Sequence, residues 1–347
     1  MRRDEKEKMP GLVMPGSRVS EIKPFAVPHP GPGEVRLRVK AAGLCGSDIH
    51  FYRNPPEENR AVRGVVVGHE PSGIVDELGE GVTLFREGDR ITVNPALGCG
   101  HCEYCLNGHT LLCPEYIGMA ADGRGGDTRF VVMPERNCRL LPQDLSFIDG
   151  TFLACTGATA YAALRKLEAR GGLIVAVYGL GPVGLATVLL SKAFGARTIG
   201  VDLNADRLDM ARFLGADEVI NAGKVEPVAS LLSVTGGRGA ELGVETSGVA
   251  AAQSNIVDSV STRGKVVFVG LGGGEKSISP EAFIHKEVQL FGSKIIATSL
   301  IPELIRFLRE KAIHFEAVVT TKRPLEEGPE AVRDFDGGAA GKFVFLP

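Results

Sequence analysis

The length, composition and charge of the chain limit the classes of protein to which it can belong. Its 347 residues are too many for one comfortable hydrophobic core, so we expect two domains. A hydrophobic content of 44% and a charged content of 23% are typical of a globular protein. The net charge of −3 leaves no global basic surface for nucleic acid or anionic lipid.

The N-terminal residues carry mixed charges and are not followed by an apolar run. The stretch "MRRDEKEKMP" therefore does not resemble a secretion signal, and we expect residues 1–10 to form a disordered tail. Seven cysteines are an odd number for a disulfide framework, and clustered thiols in a cytosolic chain are typical of metal binding. The sequence thus predicts a cytoplasmic protein.

Short β-rich segments, separated by glycine and proline, occupy the chain before about residue 150. Three segments in and after this region carry side chains that bind metals: "GLCGSDIH" with Cys45, "VVVGHEPSG" with His69 and Glu70, and "FLACTGATAY" with Cys155. A Cys–His–Cys set leaves a fourth position on zinc open for water or substrate, as catalytic zinc requires. Taken singly, however, a lone cysteine is usually a small buried apolar residue, and a His–Glu pair usually lies on the surface or in a satisfied core.

A second group of cysteines lies in the stretch "GCGHCEYCLNGHTLLCP", with the spacing C-x2-C-x2-C-x7-C. Steps of two residues let neighbouring thiolates converge on one tetrahedral ion, and four sulfurs close the coordination shell of a structural zinc. Iron–sulfur ligation also uses such steps, whereas a zinc ribbon that reads nucleic acid more often has two separated CxxC pairs and a basic face. The cluster predicts a structural zinc site formed by Cys99, Cys102, Cys105 and Cys113.

From about residue 172 the pattern changes to alternating strands and helices. The apolar strand "LIVAVYG" runs into "GLGPVG" and a helix-like segment, and the next strand, "RTIGVD", ends in Asp202. In this context Gly179 permits a tight turn, Gly181 lets the backbone approach a pyrophosphate, and Gly184 lets the helix pack on the strand. Asp202 would accept hydrogen bonds from the adenosine ribose and repel a 2′-phosphate, which favours NAD over NADP. The alternative is that Asp202 only caps the end of its strand.

The uncharged residues from Leu173 to Leu190 also reach the length of a membrane span. Glycine and proline interrupt them, and β-branched residues crowd their first half, so a buried strand, a turn and a packed helix fit better. Four more strand-like segments follow, "DEVIN", "ELGVETSG", "GKVVFVG" and "VQLFGS", which is enough for a six-stranded doubly wound parallel sheet. The final segments, "IPELIRFLREKA" and "GKFVFLP", are expected to return to the first lobe.

These motifs, in this order, resemble those of the zinc-dependent alcohol dehydrogenases of the medium-chain dehydrogenase/reductase superfamily. The "GHE" segment, the four-cysteine lobe and "GLGPVG" carry the resemblance, which covers nearly the whole chain. It implies a GroES-like β-barrel catalytic domain over residues 1–154, a Rossmann NAD-binding domain over residues 155–294, and a return of residues 295–347 to the catalytic domain. It also implies reversible hydride transfer between a primary or secondary alcohol and NAD, giving an aldehyde or ketone, by a homodimer or homotetramer.

The resemblance also assigns roles to individual residues. Cys45, His69 and Cys155 match the ligands of a catalytic zinc, and the cysteine lobe matches a structural zinc, so it implies two zinc ions per chain. Glu70 matches a residue that can transiently coordinate the catalytic metal, and Asp48 matches the partner that orients His69. Ser47 and His50 match the family's proton relay. Besides the glycines and Asp202, the residues that match cofactor contacts are Thr159, Val183, Arg207, Val269 and Leu271.

The substrate is indicated less clearly. "CGSDIH" resembles the polyol and threonine dehydrogenase branches as well as many bacterial alcohol dehydrogenases. Polyol enzymes often carry a glutamate where this chain has Ala154 and Cys155, which are more similar to the simple-alcohol branch. A polyol, vicinal-diol or threonine dehydrogenase is therefore an alternative. A catalytically silent zinc-stabilised scaffold or nucleic-acid binder is the alternative of another class. The intact set of zinc ligands and the lack of a basic patch favour an enzyme with a small-molecule substrate, without nucleic acid or membrane as a partner.

Overall fold

The computed structural model describes residues 7–272, 278 and 280–347. None of the helices in this part of the chain has the length and apolar character needed to cross a membrane. Contacts divide the chain into two compact units, Met1–Thr156 with Ala297–Pro347, and Gly157–Ile296.

The elements are numbered in chain order. The strands are β1 (Lys8–Gly16), β2 (Val19–Ala26), β3 (Glu34–Leu44), β4 (Pro71–Leu78), β5 (Arg90–Val93), β6 (Ala96–Leu97), β7 (Ile117–Gly118), β8 (Phe130–Pro134), β9 (Cys138–Leu140), β10 (Ile174–Tyr178), β11 (Arg197–Asp202), β12 (Glu218–Asn221), β13 (Ala240–Glu245), β14 (Val260–Phe268), β15 (Gln289–Gly292), β16 (Val319–Pro324) and β17 (Lys342–Leu346). The α-helices are α1 (Asp48–Arg53), α2 (Glu103–Leu106), α3 (Phe147–Ala154), α4 (Thr156–Lys166), α5 (Pro182–Ala193), α6 (Ala205–Phe213), α7 (Pro227–Val234), α8 (Ala250–Ser259), α9 (Pro280–Lys286), α10 (Ile301–Glu310) and α11 (Gly328–Asp336). Short 3₁₀ turns lie at Arg60–Val62, Thr110–Leu112, Glu135–Asn137, Thr298–Leu300, Phe315–Val318 and Leu325–Glu327.

The first unit is built around a mixed sheet in which β16, β17, β3, β4, β5 and β9 follow one another and β8 pairs with β3. Apolar and polar residues alternate along the first part of β3, and its apolar residues Val35, Leu37 and Val39 are buried in the core. The C-terminal strand β17 pairs antiparallel with β3, which places Val344 opposite Gly43. The C-terminal strand therefore lies in the same sheet as β3.

The second unit is a parallel sheet with the strand order β12-β11-β10-β13-β14-β15. This is the doubly wound order in which the first strand of the unit lies at the centre. Every residue of β10 is buried, as expected for a parallel strand that helices cover on both faces. The predicted six-stranded doubly wound sheet is confirmed.

The prediction of a disordered tail over residues 1–10 is wrong for residues 8–10, which lie in β1. Residues 1–6 lie outside the described residues, but β1 begins at Lys8 and pairs with β2. Met9 is 5% exposed and lies opposite Phe25. The prediction is based on the mixed charges of the segment and gives no weight to this apolar side chain, whose burial stabilises the start of the hairpin.

Candidate metal centres and cofactor-binding turn

The structure brings together the first set of predicted metal ligands. One ligand atom from each of Cys45, His69, Glu70 and Cys155 lies within 4.8 Å of the others. Cys45 directly follows β3, and His69 and Glu70 directly precede β4. These two strands are antiparallel neighbours, with Ala42 opposite Pro71, so the end of one meets the start of the next. Cys155 joins them from the junction between α3 and α4, where its backbone departs from helical geometry.

Asp48 fixes two members of this cluster with one buried carboxylate. Its Oδ2 accepts a hydrogen bond from the amide of Cys45 at 3.0 Å, and its Oδ1 lies 3.0 Å from Nδ1 of His69. Because Nδ1 is engaged, Nε2 is the ring nitrogen of His69 that remains for a metal ion. The structure therefore places Asp48 in contact with His69, the residue that it is predicted to orient, and also with the backbone of Cys45.

Glu70 is held by two residues that the sequence analysis did not identify. Nζ of Lys342 lies 2.7 Å from Oε2 of Glu70, and the hydroxyl of Thr156 donates to Oε1 at 2.8 Å. Lys342 also donates to the Thr156 hydroxyl at 2.8 Å. The only sequence signal for Lys342 is a charged residue at the head of an apolar strand, and its side chain is fully buried.

The electrostatics of the cluster follow from burial and from these neighbours. Burial raises the pKa of Glu70 to about 7, against the opposing effect of the Lys342 ammonium group. The hydrogen bond from Cys155 lowers the pKa of Cys45, assisted by the charges of His69 and Lys342 and opposed by burial. Two sulfurs, an imidazole and a carboxylate at this spacing fit Zn²⁺, which binds all three ligand types. Since Lys342 and Thr156 engage Glu70, three ligands remain for the ion, which is the number found in catalytic zinc sites.

The predicted relay residues lie next to this cluster in the chain. Ser47 is half-buried and directly precedes α1, while His50 lies on α1 and is exposed. Their backbones are joined by a bond from the His50 amide to the Ser47 carbonyl at 3.3 Å. This places an exposed imidazole within one helical turn of the metal-ligand segment.

The four cysteines of the second predicted site also converge, with their sulfurs within 4.8 Å of one another. Backbone amides stabilise negative charge on these sulfurs, and the amide of His101, followed by that of Cys102, lowers the pKa of Cys99 to about 6. A Cβ atom at Gly98 would lie 2.5 Å from the sulfur of Cys105, so glycine is needed there for the backbone to close around the cluster. Four thiols in this closed arrangement fit a structural zinc ion. The set comprises Cys99, Cys102, Cys105 and Cys113.

The glycine-rich turn of the second unit joins β10 to α5. Gly179 has φ +85°, in the left-handed region that favours glycine. A Cβ atom at Gly184 would lie 1.9 Å from the carbonyl oxygen of Gly179, so only glycine permits this close approach of helix and turn. Gly181 caps α5, and Pro182 occupies its first turn, so the amides at the helix N-terminus can face an anion.

Asp202 lies at the end of β11 and braces this turn. Its Oδ2 accepts a hydrogen bond from the amide of Leu180 at 2.6 Å, and its Oδ1 accepts one from the amide of Asn204 at 2.9 Å. The strand-capping interpretation of Asp202 is thus present in the structure, and it fixes the carboxylate beside the glycine turn. A ribose contact and a capping role are compatible, because each carboxylate oxygen can accept more than one hydrogen bond.

The other predicted cofactor residues lie elsewhere in the second unit. Val183 is in the first turn of α5, Arg207 is in α6, and Val269 and Leu271 follow the carboxyl end of β14. Because β10, β11 and β14 are parallel, their carboxyl ends lie at the same edge of the sheet, where doubly wound folds bind nucleotides. Thr159 is buried within α4.

Two family models match the chain: "alcohol dehydrogenase GroES-like domain" over residues 31–143 and "zinc-binding dehydrogenase" over residues 182–310. The sorbitol dehydrogenase of Bacillus subtilis is 32% identical and aligns over 94% of this chain and 93% of the relative. The NAD-dependent alcohol dehydrogenase of Sulfurisphaera tokodaii is 30% identical, over 94% and 96%. Among solved structures, the alcohol dehydrogenase of Thermus sp. ATN1 has a TM-score of 0.90 at 29% identity, over 97% of this chain and 99% of that chain.

The chain belongs to the zinc-dependent alcohol dehydrogenases of the medium-chain dehydrogenase/reductase superfamily. It is a zinc-dependent oxidoreductase that uses a nicotinamide cofactor and acts on a small molecule. The predicted combination of a GroES-like domain with a Rossmann domain is confirmed.

Proposed function

We propose that this enzyme oxidises a simple primary or secondary alcohol with NAD and catalyses the reverse reduction with the same groups. The observation that carries this proposal is the cluster of two buried cysteines, Cys45 and Cys155, with the half-buried His69. Glu70 beside them is engaged by Lys342 and Thr156. Such a donor set supplies three ligands to a zinc ion and reserves a position for substrate. Cys155, rather than glutamate, as the third ligand is the feature that favours a simple alcohol.

We assign two zinc ions to each chain. The cluster of Cys45, His69 and Cys155 would hold a catalytic ion, and the four-cysteine lobe would hold a structural one. We also assign catalysis to residues 1–154 and 295–347 and cofactor binding to residues 155–294. All seven cysteines lie in the described part of the chain, and each has a free thiol. Because thiols stay reduced in the cytoplasm, this supports a cytoplasmic location.

Different residues of the chain have different roles in the proposed reaction. When bound, zinc supplies the Lewis acidity that lowers the pKa of an alcohol, and NAD supplies the hydride acceptor. Asp48 keeps His69 in one tautomer and orientation, which raises the basicity of its free nitrogen. Ser47 takes up the proton released by the substrate as it gives up its own hydroxyl proton, and the exposed imidazole of His50 transfers a proton to water.

Asp202 is the residue to which we assign the preference for NAD. In Asp202→Asn the amide oxygen can still accept a backbone hydrogen bond, but the charge that repels a 2′-phosphate is absent. We expect the ratio of kcat/KM with NAD to that with NADP to fall by about 10- to 100-fold, because like-charge juxtaposition costs a few kcal/mol. The matched control is Asp209→Asn, which removes the same charge from an exposed position on α6. An unchanged ratio in Asp202→Asn would show that cofactor choice lies elsewhere.

A polyol is the second candidate substrate, and the sorbitol dehydrogenase relative at 32% identity favours it. The two candidates differ in what the active site must recognise. A polyol brings several hydroxyl groups that need polar partners, whereas a simple alcohol brings one hydroxyl and an apolar body.

A substrate panel tests the proposal directly. The zinc-replete enzyme is incubated with NAD and, separately, with primary alcohols, secondary alcohols, vicinal diols, sugar polyols and threonine, while NADH absorbance is followed. We expect the highest kcat/KM with a simple alcohol. Preferential turnover of sorbitol-like polyols or of threonine would replace the first candidate by the second, and no turnover with any of them would contradict both.

We also propose a homodimer or homotetramer. The strand β15 lies at the edge of the parallel sheet, and Leu290 on this strand is partly exposed. An uncovered edge strand is a surface on which a second copy can pair.

A further inference from the structure

The carboxylate of Glu70 lies in a closed ring of polar contacts. The Thr156 hydroxyl donates a hydrogen bond to Oε1 at 2.8 Å, and Lys342 donates one to the Thr156 hydroxyl at 2.8 Å. Nζ of Lys342 closes the ring through an ion pair with Oε2 at 2.7 Å. All three residues are 0% exposed. A buried network in which every member has a partner holds its groups firmly, because an unmade bond cannot be replaced by water.

Gly43 in β3 forms the remaining wall of this network. A Cβ atom at Gly43 would lie 2.4 Å from Oε2 of Glu70 and 2.9 Å from Cε of Lys342. The amide of Gly43 also donates to the carbonyl of Glu70 at 3.1 Å. The missing side chain at Gly43 therefore creates the space in which the carboxylate and the ammonium group meet.

The Thr156 hydroxyl is both a hydrogen-bond donor and a hydrogen-bond acceptor in the ring, and few other side chains can be both. It donates its single proton to Glu70 and accepts a proton from Lys342. Valine has the same shape and can do neither, whereas serine can do both. Loss of the hydroxyl would leave Oε1 of Glu70 buried without a partner. A metal ion bound by this cluster, in which Glu70 supplies one of the ligand atoms within 4.8 Å of one another, could then replace the hydroxyl as a partner of Oε1.

We propose that Thr156 is a positioning residue. Together with Lys342 it keeps Glu70 out of the coordination shell of the metal ion held by Cys45, His69 and Cys155, and thereby keeps a coordination position for substrate. This inference rests on the proposed catalytic metal site. It adds that the availability of the substrate position is set by a hydroxyl that does not touch the metal.

The test replaces the metal by cobalt(II), whose visible bands report the number and type of ligands. Wild type, Thr156→Ser and Thr156→Val are compared by these bands and by titration with imidazole, which competes for the open position. In Thr156→Val we expect weaker d–d bands, as for a shift from four towards five ligands. We also expect imidazole to bind about tenfold more weakly, the scale of one hydrogen bond to a charged group. Thr156→Ser should match wild type in both.

Cys45→Ala identifies the cobalt bands that belong to this site, because the four-cysteine lobe also binds cobalt. If Cys45→Ala leaves every band unchanged, the proposed metal site itself is wrong. If the bands belong to this site but Thr156→Val retains the wild-type spectrum and imidazole affinity, only the positioning role is wrong. A valine-like spectrum in Thr156→Ser would also contradict it.

Gly43→Ala provides a second perturbation if Thr156→Val does not fold. Alanine is compatible with the strand conformation at this position, and its methyl group must displace Oε2 of Glu70. We expect a change in the cobalt spectrum and weaker imidazole binding, as in Thr156→Val. A folded Gly43→Ala protein with the wild-type spectrum would overturn the proposal.

Discussion

Cys45→Ala is expected to lower kcat/KM by more than about 10³-fold, well beyond the 10- to 100-fold cost of losing a group that only orients a metal ligand. The thiol of Cys45 is buried beside Cys155 and His69, and the hydrogen bond from Cys155 lowers its pKa. Cys45 is thus one of the two sulfur ligands that we propose for the ion. Without it, only two ligands remain outside the Glu70 ring, too few for a catalytic zinc site. Steady-state kinetics and zinc analysis of the same samples check this expectation.

The zinc content should fall by about one ion per chain, because the four-cysteine lobe keeps its own ligands. Cys138→Ala is the matched control, since Cys138 is also buried but belongs to neither cluster, and its thiol donates to the carbonyl of Pro134. This control should retain both metal ions and turnover. Near-normal turnover in Cys45→Ala would remove Cys45 from the site.

Asp48→Asn is expected to lower kcat/KM less than Cys45→Ala does. The amide keeps the size of the carboxylate but loses the charge that favours the N–H form at Nδ1 of His69. We expect a loss of about 10- to 100-fold with both metal ions retained, the usual cost for a group that orients a ligand. A loss as large as that in Cys45→Ala would place Asp48 among the ligands.

The two metal clusters differ in how much of them the sequence could reveal. The four cysteines lie within one short stretch, so their spacing alone predicts that they converge, and the same holds for the glycine turn between β10 and α5. Cys45, His69 and Cys155 are far apart in the chain, and each has an ordinary explanation on its own. Their convergence depends on the pairing of β3 with β4 and on the position of α3, which only the fold supplies.

The ring around Glu70 was beyond the reach of sequence reasoning. Lys342 lies in a C-terminal strand whose pattern predicts a buried apolar segment, and nothing in that pattern shows which residue it faces. Its partner is fixed by the antiparallel register of β17 on β3, which brings the strand beside Gly43. Nothing in the sequence around Thr156 indicates its role either, because the recognisable metal ligand in this segment is the preceding residue, Cys155. Pairings over such distances in the chain follow from sheet register rather than from local pattern.

Cys105→Ser is expected to release the structural metal and to destabilise the cysteine lobe. The lobe has little apolar burial of its own: α2 spans one turn, and Leu106 and Leu112 are 74% and 60% exposed. A helix this short is not stable alone, so we expect the proposed metal ion to supply most of the free energy that orders the segment. Loss of several kcal/mol should lower Tm by roughly 10 °C.

Limited proteolysis with mass mapping shows whether the damage is local. We expect new cleavage sites between Gly98 and Glu115 in Cys105→Ser and none in Leu106→Ala, which removes an exposed side chain from the same lobe. Unchanged Tm and unchanged cleavage would show that the lobe is ordered without a metal. The proposed catalytic ligands come from the ends of β3 and α3 and the start of β4, outside this segment. Turnover in Cys105→Ser should therefore persist below the lowered Tm, whereas Cys45→Ala should lose turnover at every temperature at which it is folded.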